Sequence, residues 1–251
     1  RAGNPTPRTV ETASGLLNAI GLDNDGIDHF REHHLPYLRT VGSAVIANIA
    51  GEDEDQFVAM AASLGDEPGL AAVELNVSCP NVSHGLDLGI DAAAVGRLVR
   101  RTREACPLPI IAKLTPNVTD VVAIADAAAE AGADAVTLIN TVRGMAVDWR
   151  KRRPILANDV GGLSGPAIKP IALRIARALP KLPIIAVGGV ANADDALEFL
   201  VAGASAVQVG TATFYNPRAA EDVLDGIVQR LDDAGVSAVS EVIASGRSNR
   251  G

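Results

Sequence analysis

Apolar runs recur along the chain, separated by segments of a second pattern. The runs are SAVIANIAG (43–51), AAVELNVS (71–78), LPIIAKLT (108–115), DAVTLINT (134–141), LPIIAVGG (182–189) and SAVQVGTA (205–212). They are nearly continuous in Val, Ile, Leu and Ala, as strands buried on both faces are. Between them, residues 55–66, 91–105, 119–133, 169–180, 192–204 and 217–235 carry apolar positions three and four apart. Several of these segments open on Asp, Thr or Asn, the residues that cap helix N-termini. Strand and helix in alternation predict an α/β fold with a parallel sheet.

The chain also echoes itself. LPIIAKLTPNVTDVVAIADAAAEAGADAVTLINT (108–141) and LPIIAVGGVANADDALEFLVAGASAVQVGTA (182–212) both read strand, turn, helix, AGA or AGAS corner, strand. A repeated β-α-β unit suits a closed (β/α)8 TIM barrel better than an open sheet, although open sheets repeat too. Six barrel-type strands are visible where eight are needed. The expectation is therefore one barrel domain over 1–251, N-terminally incomplete and lacking its first two strands in this chain. A six-strand open sheet is the alternative.

Composition narrows the classes. Aromatics are scarce and small branched residues abundant, which suits helices over a parallel sheet. A formal net charge of −8 argues against a nucleic-acid-coating surface. No apolar run reaches the length of a membrane span. Two cysteines cannot build a disulfide framework, so a reducing cytoplasm is the expected compartment.

In an α/β barrel the active site gathers at the C-terminal ends of the strands. Here those ends carry Asn48, Asn76, Cys79, Lys113, Asn140, Thr141, Gly188, Gly189, Gly210 and Thr211. Turning a corner does not need so polar a set. Gly-Gly and Gly-Thr at the last two strand ends, with GGLSGPAIKP (161–170) as a third Gly-rich loop, point to a phosphate-bearing cofactor or substrate approached by backbone N–H groups. Lys113, ending an apolar strand, reads either as a lysine reaching solvent or as a charge facing that ligand.

Cys79 stands in ELNVSCPNV (74–82), where Pro80 stops a strand and Asn76, Ser78 and Asn81 crowd the turn. It reads either as a small core residue or as a thiol that does acid–base chemistry. Only His84 lies near it in sequence, so a Cys-His protease pair is not indicated. Cys106, before Pro107, reads as structural. GEDED (51–55) reads as a solvated helix start, and adjacent His33 and His34 do not have ligand spacing. VRGMAVDWRKRRP (142–154) reads as a basic loop, either solvated, a lid or a subunit contact. No Cys/His constellation has zinc spacing, so no metal is expected.

ELNVSCPNV, INT (139–141), GGLSGPAIKP, VGGV (187–190) and VGTA (209–212), together with GNPTPRTVETASGLLNAIGLDN (3–24), resemble the class 1 dihydroorotate dehydrogenases, in the right order from Ala2 to the final helix. The NAIGL, INT and ANDVGGLSGPAIKP forms look more like subclass 1B. The resemblance implies an FMN-containing barrel that oxidises (S)-dihydroorotate to orotate in pyrimidine (UMP) biosynthesis. It implies that Cys79 is the base removing the C5 proton while hydride passes from C6 to FMN. Asn18, Ala19, Ile20, Gly21, Leu22, Asn76, Asn140 and Thr141 match substrate-holding positions. Asn48, Asn76, Lys113 and Ile139 match flavin-ring positions, and Gly165, Gly188, Gly189, Gly210 and Thr211 match the ribityl-phosphate site.

Subclass 1B further implies a homodimer core within a heterotetramer. Its partner subunit carries FAD and an iron–sulfur (2Fe-2S) cluster and passes electrons to NAD. This chain has neither a cysteine cluster nor a GxGxxG after a strand for those groups. The family's N-terminal segment, with two strands, part of the flavin site and a substrate-binding lysine, is not in this sequence. The expectation is that the isolated chain binds FMN poorly and aggregates through exposed strand edges. The other readings are a flavin barrel acting on a different pyrimidine and a truncated, non-catalytic barrel remnant.

Overall fold

The structure, a computed structural model, describes residues 1–78, 88–179 and 181–247. In chain order the strands are β1 (Thr9–Thr12), β2 (Gly15–Asn18), β3 (Val45–Ile49), β4 (Leu70–Asn76), β5 (Ile110–Leu114), β6 (Ala135–Leu138), β7 (Val142–Met145), β8 (Val147–Asp148), β9 (Arg153–Pro154), β10 (Val160–Ser164), β11 (Ile184–Val187) and β12 (Ala206–Gln208). The α-helices are α1 (Ile27–His29), α2 (Leu35–Leu38), α3 (Glu54–Leu64), α4 (Ala92–Ala105), α5 (Val121–Glu130), α6 (Lys169–Ala178), α7 (Ala193–Ala202), α8 (Ala212–Tyr215) and α9 (Ala219–Asp233).

Six strands form one sheet in the order β12-β11-β6-β5-β4-β3. Pairing is parallel for β3–β4, β4–β5 and β11–β12. The six strands lie side by side in their chain order, although β7 to β10 intervene in sequence between β6 and β11. A doubly wound open sheet reverses its order at a switch point, and this sheet has no reversal. The order is that of a (β/α) barrel, and it decides between the two architectures the apolar runs allow. All six strands coincide with those runs, mostly shortened, because the polar run ends belong to loops.

The expected helix starts are present and hold for a local reason. Asp53, Asp91 and Asp120 each accept backbone N–H groups in the first turns of α3, α4 and α5. Asn192 and Asp195 form a reciprocal capping box on α7. The GEDED segment does start a helix, and Arg97 and Arg101 of α4 bind its Glu54 at 3.0 and 3.1 Å.

The short strands and Gly-rich segments depart from the sequence reading. Residues 161–170 do not form a loop throughout: β10 pairs antiparallel with both β2 and β7, in a four-stranded sheet of order β1-β2-β10-β7. The basic segment 142–154 likewise contains β7 and the β8–β9 ribbon. Glycine belongs in β10 because other chain segments crowd it. A Cβ on Gly162 would collide with the Thr141 hydroxyl, and one on Gly161 would stand 2.8 Å from the Asn18 carbonyl oxygen.

The chain divides into two compact units. One comprises residues 1–4, 20–114 and 118–136. Its core packs α3, α4 and α5 with β3, β4 and β5, and Phe57, Leu64, Val95, Leu98, Ile110 and Ala128 are almost fully buried. The other comprises residues 5–19, 115–117 and 137 onward. It holds the antiparallel sheet and the β11, β12, α6, α7 and α9 region, with Ile175, Ile184, Ala196 and Phe199 buried.

Candidate functional site

Strand register sorts the side chains of the first unit. Asn48 of β3 stands opposite Glu74 of β4, and Asn76 of β4 stands opposite Lys113 of β5. Opposite residues share a face, and so do residues two apart on one strand. Asn48, Glu74, Asn76 and Lys113 therefore occupy one face. The alternate residues Ala47, Ile49, Val73, Leu75, Ala112 and Leu114 are apolar and buried. One side of these strands makes the core and the other gathers two amides, an acid and a lysine.

The polar face is electrostatically organised. Asn48 Nδ2 donates to Glu74 Oε1 at 2.6 Å. Glu74 is buried, with 4% of its surface exposed. Burial of the Lys113 side chain pulls its ammonium below the ordinary lysine value, and the Glu74 charge opposes that pull. Beyond β4, Ser78 Oγ donates to the Lys113 carbonyl at 3.1 Å. Cys79, with Pro80, Asn81 and His84, lies outside the described residues.

Of the expected substrate segment, Ile20, Gly21 and Leu22 lie in this first unit, where the Ile20 carbonyl accepts from Asn4 N–H at 2.8 Å and the Leu22 carbonyl from Asn24 Nδ2 at 2.6 Å. Asn18 and Ala19 belong to the second unit. Asn18 ends β2 and donates weakly to the Gly162 carbonyl at 3.4 Å, and Ala19 N–H donates to the Arg8 carbonyl at 2.8 Å.

In the second unit, Ile139, Asn140 and Thr141 follow β6. Ile139 N–H donates to the Val187 carbonyl at 2.8 Å. Asn140 Oδ1 accepts from Thr141 N–H at 2.8 Å. Asn117 clips this turn: its Nδ2 donates to the Thr141 carbonyl at 3.0 Å while its Oδ1 accepts from Arg143 N–H at 3.0 Å.

The glycines converge within the same unit. Gly189, at φ +85°, approaches so closely that an added Cβ would lie 2.8 Å from the Gly165 carbonyl oxygen and 2.9 Å from Lys169 Cβ. A Cβ on Gly188 would lie 3.4 Å from Ile139 Cγ1. Gly165 borders Thr211, whose Oγ1 donates to Ser164 Oγ at 2.8 Å. Gly210 differs from these, because a Cβ there would meet nothing within 4 Å. Lys169 stands beside this cradle, but its ammonium is held by Asp195 at 2.6 Å and by Glu198 at 3.0 Å. Those carboxylates push its proton affinity up. The cradle thus offers backbone groups and hydroxyls, with its nearest lysine already paired.

Four supporting residues were not singled out from sequence: Glu74, Asn117, Ser164 and Lys169. Only Glu74 carried a usable signal, an acid inside an apolar strand run. Among the described residues, no group of three or more His, Cys, Asp or Glu is placed to hold a metal ion, and no helix is long and apolar enough to cross a membrane.

Known proteins share this chain almost from end to end. The family model for dihydroorotate dehydrogenase matches residues 1–231. The chain is 52% identical over 250 residues to a "dihydroorotate dehydrogenase B (NAD(+)), catalytic subunit" of Geotalea uraniireducens, covering 98% of this chain and 82% of the relative. A protein of the same description from Geobacter sulfurreducens is 53% identical over the same shares, and one from Listeria monocytogenes is 48% identical over 96% and 81%. The barrel strand order, the polar face at its strand ends and a match spanning most of the sequence agree: this chain belongs to the dihydroorotate dehydrogenase family.

Proposed function

We propose that this chain is the catalytic subunit of an NAD-linked dihydroorotate dehydrogenase, oxidising (S)-dihydroorotate to orotate on the route to UMP with FMN as its bound cofactor. The observation that carries the reading is the face shared by Asn48, Glu74, Asn76 and Lys113, a polar set on strands whose other side is core. Relatives about half identical over nearly the whole chain bear the name of that activity.

The donor set fits a flavin mononucleotide. A flavin ring presents alternating carbonyl and nitrogen positions, and two amides and an ammonium match such an edge. A ribityl phosphate needs close-approaching backbone N–H groups, and the converging Gly165, Gly188 and Gly189 with Thr211 provide a cradle where side chains would not fit. Asn48, Asn76, Lys113 and Ile139 are assigned to the ring, and Gly165, Gly188, Gly189, Gly210 and Thr211 to the phosphate end. When bound, the flavin accepts hydride from the substrate and passes the electrons on.

The chain's own groups do the rest. Cys79 is the proposed base, taking the C5 proton of dihydroorotate as thiolate. Asn18 through Leu22, with Asn76, Asn140 and Thr141, are proposed to hold the substrate's carboxylate and its ring N–H and C=O groups. Asn can donate and accept, so it serves both. Lys113 supplies a fixed positive charge for the negative charge that builds up as the ring is reduced. The proposed partner is an electron-transfer subunit carrying FAD and a 2Fe-2S cluster, assembled on a homodimer of this chain. The cytoplasm is the proposed compartment, in keeping with only two cysteines.

The test is anaerobic and uses the protein in its full reading frame. Its visible spectrum is recorded and dihydroorotate is added. Bleaching of a stoichiometric FMN band supports the reading, and NAD is then tried with and without the partner subunit. A bound flavin that dihydroorotate leaves oxidised redirects the substrate to another pyrimidine. A folded protein without flavin removes the cofactor assignment altogether.

A further inference from the structure

Glu74 is the residue the proposed chemistry leaves unused. It is 4% exposed, and burying a carboxylate is unfavourable unless a partner and hydrogen bonds compensate. Gln would fill the same space without that cost. Two features account for an acid here. Asn48 Nδ2 donates to Glu74 Oε1 at 2.6 Å from the adjoining strand. Lys113, two positions along the same face and one strand over, feels the Glu74 charge. Among the described residues Glu74 is the charged group that acts on Lys113. Both neighbours are residues assigned to the flavin ring, and Glu74 bears on that function through them.

We propose that Glu74 is a positioning residue of the flavin site, supplying a counter-charge to Lys113 on the same face and turning the donor end of the Asn48 amide toward itself. The amide orientation follows from chemistry. An ionised carboxylate only accepts hydrogen bonds, so the Asn48 NH2 must face it and Oδ1 is left as that residue's acceptor. The charge effect follows from burial. Burial lowers the proton affinity of a lysine, and an anion on the same face opposes that loss. Glu74 thereby lets Lys113 sit in a partly buried place and still present its charge. The consequence for catalysis rests on the dihydroorotate-oxidising reading, whereas the coupling of the two charges does not.

The chain contains four lysines, Lys113, Lys151, Lys169 and Lys181, so NMR titration of isotopically labelled lysine side chains resolves each one, and Lys113→Gln identifies the signal. In Glu74→Gln, which keeps size and an acceptor for Asn48, Lys113 is expected to titrate about one pH unit lower or more, a tenfold loss of proton affinity. In the FMN-loaded enzyme, the alkaline limb of flavin reduction by dihydroorotate should move down by the same interval. An unshifted Lys113 titration overturns the proposal. A shifted titration with an unmoved alkaline limb removes Glu74 from the reaction and leaves a structural pair.

Should Glu74→Gln alone not fold, the double variant Glu74→Gln/Lys113→Gln must fold, because the uncompensated cation is then the cause. A double variant that also fails overturns the proposal. If the parent enzyme itself is not bleached by dihydroorotate, the proposed reaction falls, and the lysine titration still decides whether Glu74 governs Lys113.

Discussion

Ser78 Oγ donates to the carbonyl of Lys113 at 3.1 Å, so the chain leaving β4 is tied to the backbone of β5 immediately before Cys79. A lost hydrogen bond of this kind costs about 0.5–1.5 kcal/mol of stability. Small displacements of a reacting group lower rates by up to about a hundredfold. Ser78→Ala is therefore expected to unfold at slightly lower urea, to keep FMN, and to lose about tenfold to a hundredfold in kcat. A variant with lowered stability and an unaltered kcat would confine Ser78 to holding the fold.

Cys79→Ala is expected nearly to abolish reduction of bound FMN by dihydroorotate while leaving the flavin bound. Cys79→Ser should retain slow activity shifted to alkaline pH. A hydroxyl is a far weaker acid than a thiol with a pKa of about 8.5. Stopped-flow bleaching across a pH series checks both. Near-normal bleaching in the alanine variant would take the base role away from Cys79.

Lys113 predicts a pH dependence of stability with a definite sign. Its folded-state pKa is lowered, chiefly by burial, below the unfolded value of 10.5. Between those two values the unfolded chain binds more protons than the folded one. Stability contributed by this group therefore rises with pH through that window, and the penalty is fully present below it. Urea unfolding of the flavin-free protein should show this alkaline gain in the parent and not in Lys113→Gln. Equal slopes in the two proteins would mean that Lys113 is not desolvated in the fold.

The parallel sheet was legible because each strand is a continuous apolar run and four of the helices, α3, α4, α5 and α7, open on a capping side chain. Such signals need no distant partner. The β1-β2-β10-β7 sheet was not legible for the opposite reason. Its strands are short and rich in glycine, and Asn18 meets Gly162 across 144 residues of chain. Polar residues at strand ends could be read as a group, since the barrel rule places them together. Their supports could not: Asn117 matters through Thr141 and Arg143, and Ser164 through Thr211. Glu74 sat in plain view inside AAVELNVS, but only the register that sets it opposite Asn48 gives it a function.

Two glycines separate a need of the fold from a need of the ligand. Gly189 holds φ +85° and lies where a Cβ would come 2.8 Å from the Gly165 carbonyl oxygen, so Gly189→Ala meets both a strained backbone and a collision with backbone atoms. It is expected to lose roughly 1–3 kcal/mol of stability, the range for a residue forced into a sparsely populated conformation, and FMN along with it. Gly210 has no atom within 4 Å of the same addition. Gly210→Ala should therefore leave thermal stability of the flavin-free protein within about 0.5 kcal/mol. If a phosphate occupies the space beside Gly210, the methyl group takes that space, and FMN affinity falls while the fold does not. Thermal unfolding without flavin and FMN titration by fluorescence quenching read the two effects separately. An alanine at position 210 that leaves both unchanged would put the phosphate elsewhere in the cradle, at Gly165, Gly188 and Gly189.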